Sequence, residues 1–170
     1  MILTVTLNTS IDKAYRISST LERGTVMRVA ECIDNAGGKG LNASRSVATC
    51  GEEVLATGFV GGNNGRLLCE LLDRDKIPHD FVKVATETRC CVNVLEPDGL
   101  STEFLEPGRE VTPEELAALE ERLVSLVSRA GVVTMSGSFP KGLPADTYVR
   151  LIKLVRSQGK PCILDTSGAT

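Results

Sequence analysis

The chain has 170 residues, 42% of them hydrophobic and 24% charged, which is the composition of one globular domain with its own core. Lys and Arg total 19 against 22 Asp and Glu, and a net charge of -3 gives no general attraction to nucleic acid or acidic membranes. No apolar run approaches the roughly 18 residues of a bilayer span, and Met1 runs into Ile-Leu-Thr-Val-Thr-Leu without the basic start of a secretory signal. A cytoplasmic protein is predicted.

Ile2–Asn8, rich in β-branched residues, reads as an opening strand. Residues 11–33 do not fit a strand–helix rhythm and read as inserted β-structure. Gly40–Cys50 reads as a helix with Leu41, Ser44, Val47 and Ala48 on one face, closed by Gly51. Val54–Val60 is a strand ending in Gly61-Gly62, and Arg66–Lys76 is a helix with leucines at helical spacing. Phe81–Val84 is a short strand. Arg89–Leu95 and Ser101–Leu105 flank Pro97-Asp98-Gly99, the turn chemistry of a hairpin.

Thr112-Pro113-Glu114-Glu115 combines an N-cap threonine, a proline at the first helical position and a glutamate at the third, so a capping box opens the next helix. Leu116, Leu119, Leu123, Leu126 and Val127 form its core stripe. Val132–Met135 is a strand, Asp146–Ser157 a helix stopped by Gly159, and Cys162–Leu164 a final strand. Four strands alternating with helices predict a parallel sheet covered on both faces. Residues 11–33 and 89–105 are predicted to form a small β lid beside it.

Ligands of such sheets sit beyond the carboxyl ends of the strands. Those ends read Asn8-Thr9-Ser10, Gly61-Gly62-Asn63-Asn64, Ser136-Gly137-Ser138 and Asp165-Thr166-Ser167, all small and polar. The sharpest local feature is Ala36-Gly37-Gly38-Lys39-Gly40-Leu41-Asn42. Glycines ahead of a helix bring bare N–H groups to its positive end, where an anion is favoured. Lys39 adds a charge, and Asn42 a donor and an acceptor. This combination suits a phosphorylated, hydroxyl-rich molecule.

Gly38-Lys39-Gly40-Leu41-Asn42-Ala43 also satisfies the spacing of a dinucleotide fingerprint, but that motif should follow the first strand and precede an acidic residue. Both conditions fail, which weighs against a dehydrogenase, and no Walker A spacing occurs. The six cysteines form no C-x-x-C pair, and a chain of this size does not need disulfide staples. A single histidine, His79, leaves no ligand set for zinc. Following Pro78, it reads as a surface imidazole.

Thr6–Asp12 (TLNTSID), Ala36–Arg45 (AGGKGLNASR), Glu87–Arg89 (ETR), Ser136–Pro144 (SGSFPKGLP) and the closing LDTSGA together resemble the phosphofructokinase B group of ribokinase-like sugar kinases. The lysine in GGKG is similar to the branch that holds tagatose-6-phosphate kinase and 1-phosphofructokinase. The resemblance implies an α/β, ribokinase-like three-layer core with a mostly parallel sheet and a small β lid. Family members are nearly twice as long, so it also implies that the C-terminal part of the fold is missing after Thr170. Residues 1–170 would form the N-terminal part of one kinase domain.

The implied reaction is ATP-dependent phosphorylation of a ketohexose phosphate, tagatose 6-phosphate or fructose 1-phosphate, to the bisphosphate. By resemblance, Asp12 binds sugar hydroxyls, Gly38, Lys39 and Asn42 form the substrate loop, and Ser138 lies near the sugar. Arg89 reaches the substrate phosphate, with Cys91 facing the same side and Arg28, on the second lid segment, as a further phosphate contact. The catalytic aspartate and most of the site for ATP with Mg2+ are expected beyond Thr170, so this chain alone is expected to be inactive. The implied partners are the sugar phosphate and, through the lid, a second copy in a homodimer. A non-catalytic module that binds sugar phosphate with the same loops is the alternative.

Overall fold

The computed structural model describes residues 1–166. β1 (Ile2–Thr6) lies in the middle of a five-stranded sheet with β4 (Val54–Gly61), β5 (Val82–Val84), β8 (Val132–Ser136) and β9 (Cys162–Asp165), in the order β5-β4-β1-β8-β9. Every pairing in it is parallel. The sheet has one strand more than the four that alternate with helices in the sequence. The fifth is β5, whose paired stretch is too short to show a period of its own.

Alternation along β1 decides what covers each face. Leu3 and Val5 are fully buried on one side against α3 (Pro113–Val127) and α4 (Thr147–Ser157). Thr4 points the other way, and its hydroxyl meets that of Ser44 on α1 (Lys39–Thr49) at 2.6 Å. α2 (Gly62–Arg74) lies on the α1 side, where Leu68 and Leu72 pack with Leu41, Ala56 and Val60. The result is three layers, helices on both faces of the sheet, in an α/β ribokinase-like fold. The heaviest packing is on the α3 face, where Leu119 and Leu123 are fully buried. Truncating either to alanine should cost about 2–5 kcal/mol.

The predicted capping box is present: Thr112 Oγ1 accepts from the Glu115 N–H, and the Glu115 carboxylate accepts from the Thr112 N–H. α2 begins earlier than the leucine spacing suggests. Gly61-Gly62-Asn63-Asn64 is no loop: the strand turns straight into the helix, and the Glu87 carboxylate accepts from the Asn64 N–H.

A second sheet holds β2 (Ser10–Arg16), β3 (Glu31–Gly37), β6 (Arg89–Leu95) and β7 (Ser101–Leu105) in the order β3-β2-β6-β7. β2 and β6 pair in parallel, and the outer pairings are antiparallel. Short tethers join this sheet to the core: Leu7–Thr9 into β2, Gly38 from β3 into α1, and Ala85–Thr88 into β6. The hairpin tip stands free, with Gly99 at φ +89° and open space around it. Among the described residues no helix is long and apolar enough to cross a membrane.

Candidate active site

The chain departs from β1 to one side, through α1 to β4, and returns to place β8 on the other side of β1. That reversal opens a crevice at the carboxyl ends of β1 and β8. A cleft of about 280 Å³ occupies it, roofed by the second sheet. Asp12, Gly38, Lys39, Asn42, Arg89, Cys91 and Ser138 all line this cleft. Arg28 does not. It lies outside β3, in the exposed loop between β2 and β3, because the strand expected through this stretch begins only at Glu31.

Strand register places the side chains. Ser10 pairs with Gly37 and Arg89, and Asp12 with Asn35 and Cys91, so Asp12 and Cys91 share a face. Ser10 donates its hydroxyl to Asp12 Oδ1 at 2.6 Å. The Asp12 carboxylate lies directly against the Gly37 backbone, where any Cβ would collide with it. Gly37 is thus a glycine because the carboxylate occupies the space of its side chain.

The entrance to α1 is left open toward the cleft. Its N-cap is Gly38, at φ +116°, with no side-chain cap and no acidic residue in the first turn. Gly40 sits so close to β1 that a Cβ would strike Thr6 Oγ1 and approach the Val5 carbonyl at 2.9 Å. Thr6 Oγ1 is itself buried without a partner. The first N–H groups of α1 therefore have no internal acceptor and face a polar cavity, an arrangement suited to an anion. Lys39 is exposed beside them and forms no ion pair among the described residues.

Arg89 is not a free side chain. Nη1 donates to the Glu106 carbonyl at 2.9 Å and Nη2 to the Asn8 carbonyl at 3.2 Å. Nε is buried and has no partner. Two of the five N–H groups are spent on holding the guanidinium, and one N–H on each of Nη1 and Nη2 remains for an anion.

Several supporting residues escape sequence reasoning. Asn8 Nδ2 donates to Ser138 Oγ at 3.1 Å, tying the ends of β1 and β8 across the cleft. The Tyr148 hydroxyl donates to the Gly137 carbonyl at 2.7 Å and braces the Ser136-Gly137-Ser138 turn. Burial pushes its pKa up to about 12, with Asp165 adding to the shift. Nothing local signals these contacts, which join residues from different elements. His79 lies at the surface, partly covered: its side chain is 19% exposed, with Nε2 3.2 Å from Oδ1 of the exposed Asp73, and it does not line the cleft. Ser167, expected at the end of the last strand, lies outside the described residues.

The description "pfkB family carbohydrate kinase" matches residues 5–170. The chain belongs to this family. Among solved structures, it is 30% identical to a protein from Thermotoga maritima described as a possible 1-phosphofructokinase, with a TM-score of 0.91, covering 98% of this chain and 54% of that one. It is also 30% identical to phosphofructokinase-2 from Escherichia coli in complex with fructose-6-phosphate, with a TM-score of 0.92 and coverage of 98% and 55%. A tetrameric inhibited form of the same Escherichia coli enzyme matches at 30% identity and a TM-score of 0.91, with coverage of 99% and 55%. The chain thus spans about half the length of these kinases.

Proposed function

We propose that these residues form the acceptor-sugar site of a kinase that transfers a phosphoryl group from ATP to a hydroxyl of a ketohexose phosphate, with tagatose 6-phosphate and fructose 1-phosphate as candidate acceptors. The observation that carries this reading is convergence: Asp12, Lys39, Asn42, Arg89 and Ser138 come from distant stretches of the chain and line one cleft at the strand reversal. In this reading Asp12, pre-oriented by Ser10, accepts hydrogen bonds from sugar hydroxyls. Arg89 and Lys39 neutralise the phosphate already on the sugar, and the open N–H groups of α1 add to that field. The second sheet acts as the lid and keeps water from the acceptor.

Family membership implies ATP used with Mg2+. The described residues do not fit that group. No cluster of three or more His, Cys, Asp or Glu side chains among them could hold a cation, and the one open helix entrance beside the cleft is already assigned to the sugar phosphate. We place the nucleotide, the metal and the aspartate that takes the hydroxyl proton beyond Thr170.

Exposed apolar side chains away from the cleft lie on β7 at Phe104, 58% exposed, and in the loop between β2 and β3 at Val26, 88% exposed. Such a surface suits a second copy of the chain, and the proposal includes a homodimer formed through it. Sedimentation of the complete protein as a monomer at high concentration would refute that part.

The functional test is a calorimetric panel on the complete protein with fructose 1-phosphate, fructose 6-phosphate, tagatose 6-phosphate and unphosphorylated fructose. Binding is expected to be tighter for at least one phosphate than for fructose, followed by ATP-dependent formation of the bisphosphate. Binding without turnover would leave a sugar-phosphate-binding module. Equal binding of fructose would remove the phosphate from the reading.

A further inference from the structure

Arg45 lies on α1, three residues after Asn42, which puts the two side chains on neighbouring positions of one helix face. Its guanidinium is engaged on every side. Nη1 donates to Asn42 Oδ1 at 3.1 Å, and Nη2 donates to the carbonyl of Ala36, the residue just before the two glycines that open α1. Nε donates to Asp75 Oδ2 at 3.2 Å. Asp75 is the C-cap of α2 and is sheltered, with its side chain 23% exposed against 28% for Arg45. The end of β3, the first turn of α1 and the end of α2 are thus joined through one planar group.

Resting on the sugar-phosphate reading of the cleft, we propose that Arg45 is the positioning residue of the substrate loop: held by Asp75, it fixes Asn42 as a hydrogen-bond donor toward the acceptor sugar. The chemistry admits one orientation. A guanidinium has only donors, so the Asn42 amide must turn its oxygen to Arg45. Its NH2 is left over, donates to no described residue, and belongs to a side chain that lines the cleft. Asn42 therefore reads a lone pair on the ligand, a sugar or phosphate oxygen, rather than a hydroxyl proton. Lysine could not replace Arg45, because one ammonium cannot reach three acceptors in a plane.

The test measures sugar-phosphate affinity and thermal unfolding on the complete protein. The probe is whichever of fructose 1-phosphate, fructose 6-phosphate and tagatose 6-phosphate the wild type binds most tightly. Asn42→Asp keeps an acceptor for Arg45 and adds a negative charge to the first turn of α1, which favours the helix. It also removes the donor. Affinity should fall about tenfold or more, through the lost donor and through repulsion of the sugar phosphate, while the unfolding temperature stays or rises; the double variant carries the assignment to Arg45. Arg45→Lys and Asn42→Ala should each weaken binding about tenfold, and the double variant should be no worse than Asn42→Ala alone.

Wild-type affinity in Asn42→Asp would overturn the proposal. So would full additivity in the double variant while Asn42→Ala alone weakens binding, and in that case the sugar-phosphate site itself stands. If Asn42→Ala binds as the wild type does, or the wild type binds none of the three probes, the underlying reading of the site fails and Arg45 loses its role with it. Should Arg45→Lys not fold, Asp75→Ala, which removes the acceptor of Nε and keeps the guanidinium, supplies the same comparison against Asn42→Ala.

Discussion

α1 and α2 are both entered through glycines at the end of a strand, yet they meet opposite fates. α1 opens at Gly38 with no side-chain cap and no acid in its first turn, and its entrance lies in the cleft. α2 opens at Gly61 and Gly62, and the Glu87 carboxylate already accepts from the Asn64 N–H there. The positive end of one helix is satisfied from within, and that of the other is left for something outside. A glycine-rich helix entrance is therefore not an anion site by itself. What decides is whether the chain supplies its own carboxylate.

The largest effect is expected from closing the open entrance. Gly40→Ala would drive a methyl into Thr6 and toward the Val5 carbonyl. Overpacking of this kind costs about 1–3 kcal/mol, and the displaced entrance should also abolish sugar-phosphate binding. Denaturant unfolding and calorimetry read the two losses separately; retained affinity would show that the geometry of α1 is not what the ligand uses.

Arg89→Ala ranks next. Losing a charged hydrogen bond should weaken binding by about 1.5–3 kcal/mol, roughly tenfold to over a hundredfold. The loss should be confined to phosphorylated sugars. If fructose and its phosphates are weakened equally, Arg89 is not reading the phosphate.

Glu87→Ala tests the closed side of the comparison. Removing the cap should cost about 0.5–2 kcal/mol of stability and leave sugar-phosphate affinity as it was. A drop in affinity would mean that the α2 entrance belongs to the cleft after all.

The smallest effect concerns Tyr148, which braces the turn facing Lys39, and it is invisible at neutral pH. A phenol that ionises near 10 in the unfolded chain and only at about 12 in the folded one must stay protonated for the native state. Its contribution is fully present below about pH 10 and is lost as pH rises toward 12. Tyr148→Phe should flatten that alkaline decline, as followed by unfolding at a series of pH values. An unchanged decline would assign it to other groups, such as Lys13, whose proton is held by its bond to Asp34.

These contrasts also show where a sequence is readable. The Thr112 capping box and the Pro97-Asp98-Gly99 turn are legible because each is a local contract between residues a few positions apart. The Gly37-Gly38-Lys39-Gly40 entrance is legible for the same reason. Gly61-Gly62-Asn63-Asn64 looks just as open in the sequence and is not, because its cap, Glu87, arrives from a segment two elements away. Arg28 reads as a strand residue because β-branched neighbours do not mark where pairing starts. Asn8 with Ser138 and Tyr148 with Gly137 depend on tertiary placement that no periodicity encodes. Arg45 is the recoverable omission: its spacing of three from Asn42, on a segment that reads as a helix, is enough to mark the two as neighbours.

The short tethers at Leu7–Thr9, Gly38 and Ala85–Thr88 bear on where the molecule can be modified. Each carries or adjoins a residue of the cleft, so added length there would change the distance between Arg89 and the α1 entrance. The hairpin tip is the reverse case: Gly99 has empty space around it, and insertions are best tolerated at exposed turns of this kind. A fluorophore or affinity tag placed at Asp98-Gly99 should ride on the second sheet without lengthening any tether. It would turn the position of that sheet over the cleft into an optical signal.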